Sequence, residues 1–209
     1  MEARILTNEQ EIIEAKKLAY EVLVKEQQWE IKPDNPSGLQ IKYLPQGGKV
    51  LWDNYDTVAT WLGVFQENTL VGSQRICRRL NGKFELECYH ELLDFIREDD
   101  LAIESTRFVF AKQYRRSVAV LFLLKLLFQI LLENGGYLLT TGFFPNPGKL
   151  YVNKFGLTRH EIPFRYYPDD PEEVYLYYIN GYDRPYISKM ISEFNILLAK
   201  KEKKLEYRS

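Results

Sequence analysis

The chain has 209 residues, 45% of them hydrophobic and 27% charged, the make-up of a chain that builds a core and not of a disordered segment. Its formal net charge of -1 excludes general electrostatic nucleic-acid binding, which needs a basic surface. Cys77 and Cys88 form no CxxC or Cys/His spacing, so neither a metal nor a disulfide framework is expected.

In chain order, residues 8 to 28 predict a first helix. Asn8 is its cap, Glu11 stands three residues on, and Ile12, Ala15, Leu18, Ala19 and Val22 repeat at helical spacing before Trp29. Residues 30 to 50, with three prolines and three glycines, read as a long loop of the kind that carries function. Thr60 to Arg79 predicts two strands joined at Glu67-Asn68-Thr69. Asn81-Gly82 predicts a second hairpin, with Lys83 to Tyr89 as its far strand, which places the two cysteines one diagonal step apart. Residues 90 to 100 form a polar helix or loop. A strand over 102 to 110 follows, then a helix over 116 to 134 stopped by Gly135-Gly136. Tyr137 to Thr141 is a strand, Pro147 to Phe155 a short helix, Leu157 to Ile162 and Glu173 to Asn180 strands, and 185 to 201 an amphipathic helix. Lys200, Lys201, Lys203 and Lys204 read as a solvated tail.

The apolar run Val118 to Leu132 contains Lys125 and Gln129 and is shorter than the roughly 20 residues that span a bilayer. It reads as a helix buried on most sides, not as a membrane insertion. Met1-Glu-Ala-Arg lacks a signal peptide's apolar core, so a cytoplasmic location is expected.

The strand-helix-strand step from 102 to 141 implies one parallel pair made by a crossover, while the other connections are antiparallel. The expectation is a single α/β (α+β) domain over residues 1 to 209, a mixed, mostly antiparallel sheet flanked by helices. Its most informative stretch is Ala102 to Ala111, where an apolar strand carries Glu104 and Arg107 and runs into Tyr114-Arg115-Arg116-Ser117 at the start of a helix. A carboxylate is thereby set beside an anion-holding helix N-terminus. Residues 104 and 107 have opposite parity on a regular strand, so they share one site only if a bulge intervenes.

The element order resembles the GNAT N-acyltransferase fold, and four short motifs resemble the acyl-homoserine-lactone (autoinducer) synthases and N-acyl amino acid synthases within it. These are Trp29 after the first helix, Asp53-Asn54-Tyr55-Asp56, Val71-Gly72-Ser73-Gln74-Arg75, and Glu104-Ser105-Thr106-Arg107-Phe108. The stretch Tyr151-Val152-Asn153-Lys154-Phe155-Gly156 is similar to the late helix-to-strand signature of GNAT enzymes. Two departures stand out. The glycines usual at the pyrophosphate turn are replaced by Ser117, Val118, Ala119 and Val120, and the first helix has Tyr20-Glu21-Val22-Leu23 where an Arg is usual.

The resemblance implies an N-acyltransferase that joins an acyl group from a pantetheine thioester, on an acyl-carrier protein or coenzyme A, to an amine such as an amino acid or S-adenosylmethionine. It implies no permanently bound cofactor. Glu104 would be the general base and Tyr151 the proton donor to the leaving thiolate. Trp29, Asp53, Asp56, Arg75, Arg107 and Phe108 would shape the substrate site, while Arg115, Arg116 and Ser117 would meet the carrier's phosphate. The missing glycines favour an acyl-carrier protein as partner. Plain alternatives stand beside each role: Glu104 as a structural ion-pair member, the two aspartates as caps, the arginines as a solvated turn, Tyr151 as core. An acetyl-CoA-dependent enzyme acting on a small amine, and a non-catalytic acyl-ligand binding protein, are the competing functions.

Overall fold

A computed structural model describes residues 1–206, with side chains described through Lys201. Its strands are β1 (Glu2–Ile5), β2 (Gln40–Tyr43), β3 (Lys49–Trp52), β4 (Ala59–Gln66), β5 (Thr69–Cys77), β6 (Ile103–Phe110), β7 (Tyr137–Gly142), β8 (Thr158–Arg159) and β9 (Tyr175–Asn180). Its α-helices are α1 (Glu9–Ala19), α2 (Asp94–Arg97), α3 (Ala119–Asn134), α4 (Gly148–Phe155) and α5 (Arg184–Glu206). Seven strands form one sheet in the order β1-β4-β5-β6-β7-β9-β8, and β2 pairs β3 in a separate hairpin. Every pairing is antiparallel except β6 with β7.

Side-chain alternation sorts the sheet into two faces. Leu62, Val64, Ile76, Ile103, Leu138 and Ile179 meet the inner faces of α3 and α5, with Leu123, Leu127, Leu131 and Phe194 among them. Trp61, Phe65 and Val109 point the other way, onto Ala15, Ala19, Val22 and Leu23 of the first helical segment. The apolar helix α3 is therefore a core helix. Among the described residues no helix is long and apolar enough to cross a membrane.

Gly135-Gly136 stops α3 as expected, and the physical reason is specific at the second glycine. Gly136 has φ +79°, and a Cβ there would lie 2.4 Å from the Leu101 carbonyl oxygen, so only glycine lets the chain turn into β7 against the start of β6.

Several expectations are corrected. The helix predicted over 8 to 28 is α-helical only to Ala19 and continues as a π-helix over Tyr20–Glu26. Asn8 does cap it, accepting from the Gln10 N–H at 2.8 Å, but Glu11 closes no capping box because Arg4 holds its carboxylate with two bonds of 2.7 and 2.6 Å. The loop over 30 to 50 contains the β2–β3 hairpin. The strand expected over Lys83 to Tyr89 does not form. Asn81-Gly82 makes its turn with a single bridge, Leu80 to Lys83, and the chain then coils into a 3₁₀ turn at Leu86–Cys88. Burial of Phe84 and Leu86, and capture of the N–H groups of residues 85 and 86 by a carboxylate, outweigh the strand propensity. Cys77 and Cys88 are both free, with Tyr55 between them: its carbonyl accepts from Cys77 Sγ at 4.0 Å and its hydroxyl meets Cys88 Sγ at 3.4 Å. The edge strand β1 and the shortness of β8 were not read from the sequence. Of the basic tail, Lys200 and Lys201 lie on α5, and the side chains of residues 203 and 204 lie outside the described residues.

Leu131 is fully buried between the sheet and α5. Leu131→Ala is expected to cost about 2–5 kcal/mol of stability, read as a lowered urea midpoint with an unchanged slope.

Candidate active site

Strand β6 pairs with β5 in two registers. Ser73 stands opposite Val109, whereas Arg75 stands opposite Thr106, so two steps along β5 match three along β6. The extra residue is a bulge, and Arg107 within it adopts φ +53°. This is the irregularity that a shared site for Glu104 and Arg107 requires. It turns Arg107 to the same face as Glu104 and Thr106, the face toward α1.

On that face four carboxylates and three cations converge. Arg75, 1% exposed, uses its whole guanidinium. Its Nη1 donates to Asp53 Oδ1 (2.6 Å) and Asp56 Oδ1 (3.2 Å), its Nη2 to Glu85 Oε2 (2.5 Å), and its Nε to Thr106 Oγ1 (3.0 Å). Arg107 Nη2 donates to Asp53 Oδ2 (2.6 Å) and Glu85 Oε1 (2.9 Å), and Lys16 Nζ lies 3.1 Å from Asp56 Oδ2. Glu104, 3% exposed, accepts the backbone N–H groups of Glu85 (2.8 Å) and Leu86 (3.2 Å).

With four carboxylates against three cations, one acid group is in surplus, and it is Glu104. Burial, with the Glu85 charge beside it, pushes its pKa up to about 8, although Arg75 and the two N–H groups act in the opposite sense. For Asp53, burial also disfavours the charge, but Arg107 and Arg75 outweigh it and hold the carboxyl below its ordinary range. Burial opposes the charge on Arg75 as well; Glu85 and Asp53 reverse that and raise its pKa.

The structure shows Asp53 and Asp56 as caps and as ion-pair partners. They form a reciprocal capping box on the 3₁₀ turn Asn54–Val58 and they bind Arg75. Glu85 was missed. Its signal was masked because an acidic residue inside a predicted strand reads as solvent-facing, while the actual turn points it inward to two arginines. Lys16 was missed for the same reason, as one of two adjacent lysines on an amphipathic helix. Trp29 lies at the rim, 39% exposed, with the Arg107 guanidinium 5.8 Å from its ring centre.

The opposite face of the bulge holds a second feature. β6 and β7 pair only at Ile103–Leu138 and Glu104–Leu139; beyond that, β7 stays with β9 to Gly142 while β6 stays with β5. The two strands diverge, and the edge of β6 beyond Glu104 has no ladder partner on the β7 side. Below the opening runs a cleft of about 30 Å³, room for about one water, lined by Gln74, Ser105, Phe108, Thr140 and Tyr151 and by apolar side chains of α3, α4 and β7. Burial pushes the Tyr151 hydroxyl up to about 12, so it carries its proton at neutral pH. Phe143 and Phe144 are about 40% exposed and lie outside the cleft.

The expected phosphate-binding turn is only partly available. Arg115 Nη2 donates to Glu26 Oε2 and its Nε to the Phe110 carbonyl. Ser117 Oγ accepts the Ala119 N–H, the first of α3, at 3.1 Å. Arg116 is exposed and has no ion-pair partner among the described residues. The same residues contain no cluster of three or more His, Cys, Asp or Glu side chains suited to a metal ion.

No protein-family model matches the sequence, and no curated protein matches it either. Among solved structures, FeeM, an N-acyl amino acid synthase from uncultured soil microbes, superposes with a TM-score of 0.60 at 16% identity over 87% of this chain and 91% of that one. The CoA-dependent acyl-homoserine lactone synthase BjaI, with SAM and isopentyl-CoA, gives 0.58 at 15% identity over 91% and 88%. An acyl-CoA N-acyltransferase from Pseudomonas aeruginosa gives 0.53 at 12% over 85% and 97%. The chain has the GNAT N-acyltransferase fold, in a form resembling the autoinducer synthases.

Two outcomes follow from the ion cluster. Arg75→Met is expected to cost about 3–5 kcal/mol, because it strands buried carboxylates without a partner, and chemical denaturation measures it. Glu104 binds a proton in the folded state up to about pH 8 and in the unfolded state only up to about its ordinary 4.5. Its contribution to stability therefore falls as pH rises between those values. Denaturation series from pH 5 to 8 will show that fall in the wild type and its loss in Glu104→Gln.

Proposed function

We propose that this chain is an N-acyltransferase that moves an acyl group from a pantetheine thioester to an amine. The observation that carries the reading is the divergence of β6 from β7 beside Glu104, with a proton-bearing Tyr151 across the opening. The free edge of β6 offers unpaired backbone groups to the amides of a pantetheine arm, and the cleft beneath it takes the acyl group. The amine nitrogen forms a bond to the thioester carbon and the carbon–sulfur bond breaks. Glu104 receives the proton lost by the amine, through a water because the carboxylate is buried. Tyr151 gives its proton to the departing thiolate. Arg107 and Trp29 at the rim orient the amine, and Asp53, Asp56 and Arg75 hold them in place.

The donor we propose is an acyl-carrier protein. Ser117 takes the first N–H of α3 and Arg115 is tied to Glu26, which leaves Arg116 as the cation of this turn without an ion-pair partner among the described residues, a poor seat for the several phosphates of coenzyme A. Where the names of the structural neighbours state a donor it is coenzyme A, as for BjaI and the Pseudomonas aeruginosa acyl-CoA N-acyltransferase. The acceptor class follows theirs, an amino acid or S-adenosylmethionine. Two free cysteines accord with the reducing cytoplasm as the working compartment.

One observation favours the shorter-acyl alternative. A cleft of about 30 Å³ has room for about one water as it stands, so a short acyl group needs only a small displacement of side chains such as half-buried Phe108 and a long chain needs a large one.

Incubation with acyl-carrier-protein and CoA thioesters of graded chain length, pooled amino acids and S-adenosylmethionine, read by mass spectrometry, tests the proposal. An N-acyl product is expected, and its absence despite measurable thioester binding would sink it in favour of a binding protein. Glu104→Gln should lower kcat by about 10²- to 10⁴-fold with donor affinity retained. The base acts only when ionised, so the wild-type rate should climb toward pH 8 and the variant's residual rate should not.

A further inference from the structure

The cleft beneath the β6–β7 opening lies directly behind the bulge. Ser73 of β5 stands opposite Val109 and Arg75 opposite Thr106, so Gln74 between them has no partner on β6 and the ladder is broken there. Side chains cross the break instead. On the face toward α1, Arg75 Nε donates to Thr106 Oγ1 at 3.0 Å. On the face toward α3, Gln74 Nε2 donates to Ser105 Oγ at 2.5 Å. This second link is unfinished. Gln74 is 2% exposed and Ser105 5%, yet Gln74 Oε1 is buried without a hydrogen-bond partner, and the Ser105 hydroxyl hydrogen has no acceptor among the described residues. Buried polar groups in folded proteins are almost always paired, and an unmet one costs more than a made bond gains.

Both residues line the cleft, whose volume of about 30 Å³ exceeds the roughly 10–15 Å³ that one water requires. A dry void would leave both groups unmet. One water meets them together: it accepts from the Ser105 hydroxyl and donates to Gln74 Oε1. With the Gln74–Ser105 bond these contacts close a ring, and neither orphaned group remains. Thr140 and Tyr151 line the same cleft, and each carries a hydroxyl for the water's remaining capacity. The count of polar partners then falls in the range of two to four that buried waters have. The other walls, Leu124, Leu127 and Phe128 among them, are apolar and offer a second water nothing to bond. We infer that the cleft is a hydration site, in which one ordered water held by Gln74 and Ser105 ties β5 to β6 where the bulge breaks their ladder. The inference concerns the protein without substrates, and it stands apart from the acyl-transfer reading.

Measurements on the full-length protein test it. A high-resolution crystal structure is expected to show a water about 2.7–3.0 Å from both Gln74 Oε1 and Ser105 Oγ. Magnetic relaxation dispersion of solvent deuterons counts internal waters that exchange slowly. It is expected to register one fewer in Gln74→Met, which is close in shape and lacks the acceptor, than in the wild type. In the same variant the amides of β6 around the bulge should exchange with solvent about tenfold faster, the ratio that one lost hydrogen bond is worth. An ordered Gln74 and Ser105 with no water between them would overturn the inference, as would a slow-water count that Gln74→Met leaves unchanged. Loss of the water with no change in β6 exchange would refute the tie between the strands. Should Gln74→Met fold poorly, the wild-type crystal structure alone decides the site. Turnover of acyl donors is read separately, so failure of the transferase reading leaves the water site standing, and failure of the water site leaves the transferase reading standing.

Discussion

The structure depends on one buried guanidinium. Arg75 sits in the middle of the central strand pair and reaches four partners on three other segments: the 3₁₀ turn after β3, the turn that precedes residue 86, and β6. Arg107 repeats two of those contacts from within the bulge, and Lys16 adds α1 through Asp56. A buried ion network of this kind is weak evidence for stability, since apolar side chains of the same volume often do as well. Its work here is geometric. It pins segments that have no sheet contact with one another and holds Arg107 beside the ring of Trp29.

The same charge balance prepares Glu104. A carboxylate surrounded by enough cations is ionised and inert. Here the cations are one short, the surplus falls on the buried carboxylate that no cation pairs directly, and its proton affinity rises toward neutrality. Burial alone would leave a carboxyl too costly to ionise. The N–H groups of residues 85 and 86 offset part of that cost, which keeps the group near the range where a base is useful.

The bulge and the strand divergence are two consequences of one event. Three residues of β6 matched to two of β5 bend the strand, and the bend carries its upper half away from β7. The face toward α1 receives Arg107 and becomes ionic, while the face toward α3 receives Phe108 and becomes a cleft. The ionic cluster on one side of the strand and the cleft on the other both adjoin the gap between β6 and β7.

Much of this was legible in the sequence. Element order, the parallel crossover through α3, the Gly135-Gly136 stop and the need for a bulge between residues 104 and 107 follow from periodicity and parity, which are local properties of the chain. Asp53, Asp56, Arg75, Glu104 and Arg107 were legible as a set because short motifs keep their spacing. Glu85, Lys16, the 3₁₀ turn in place of a strand after Asn81-Gly82, and the β2–β3 hairpin were not. Each is decided by what lies across the molecule: a carboxylate that captures backbone N–H groups of residues 85 and 86, or a helix face that packs on β3. The chain by itself determined which segments are strands and helices and which charges its strands carry, because those depend on neighbours a few residues away. Only the tertiary structure decided that four acids share three cations, that Arg115 is tied to Glu26, and that Gln74 is left facing an apolar cleft, because charge balance and hydrogen-bond satisfaction are properties of a closed space and not of a sequence window.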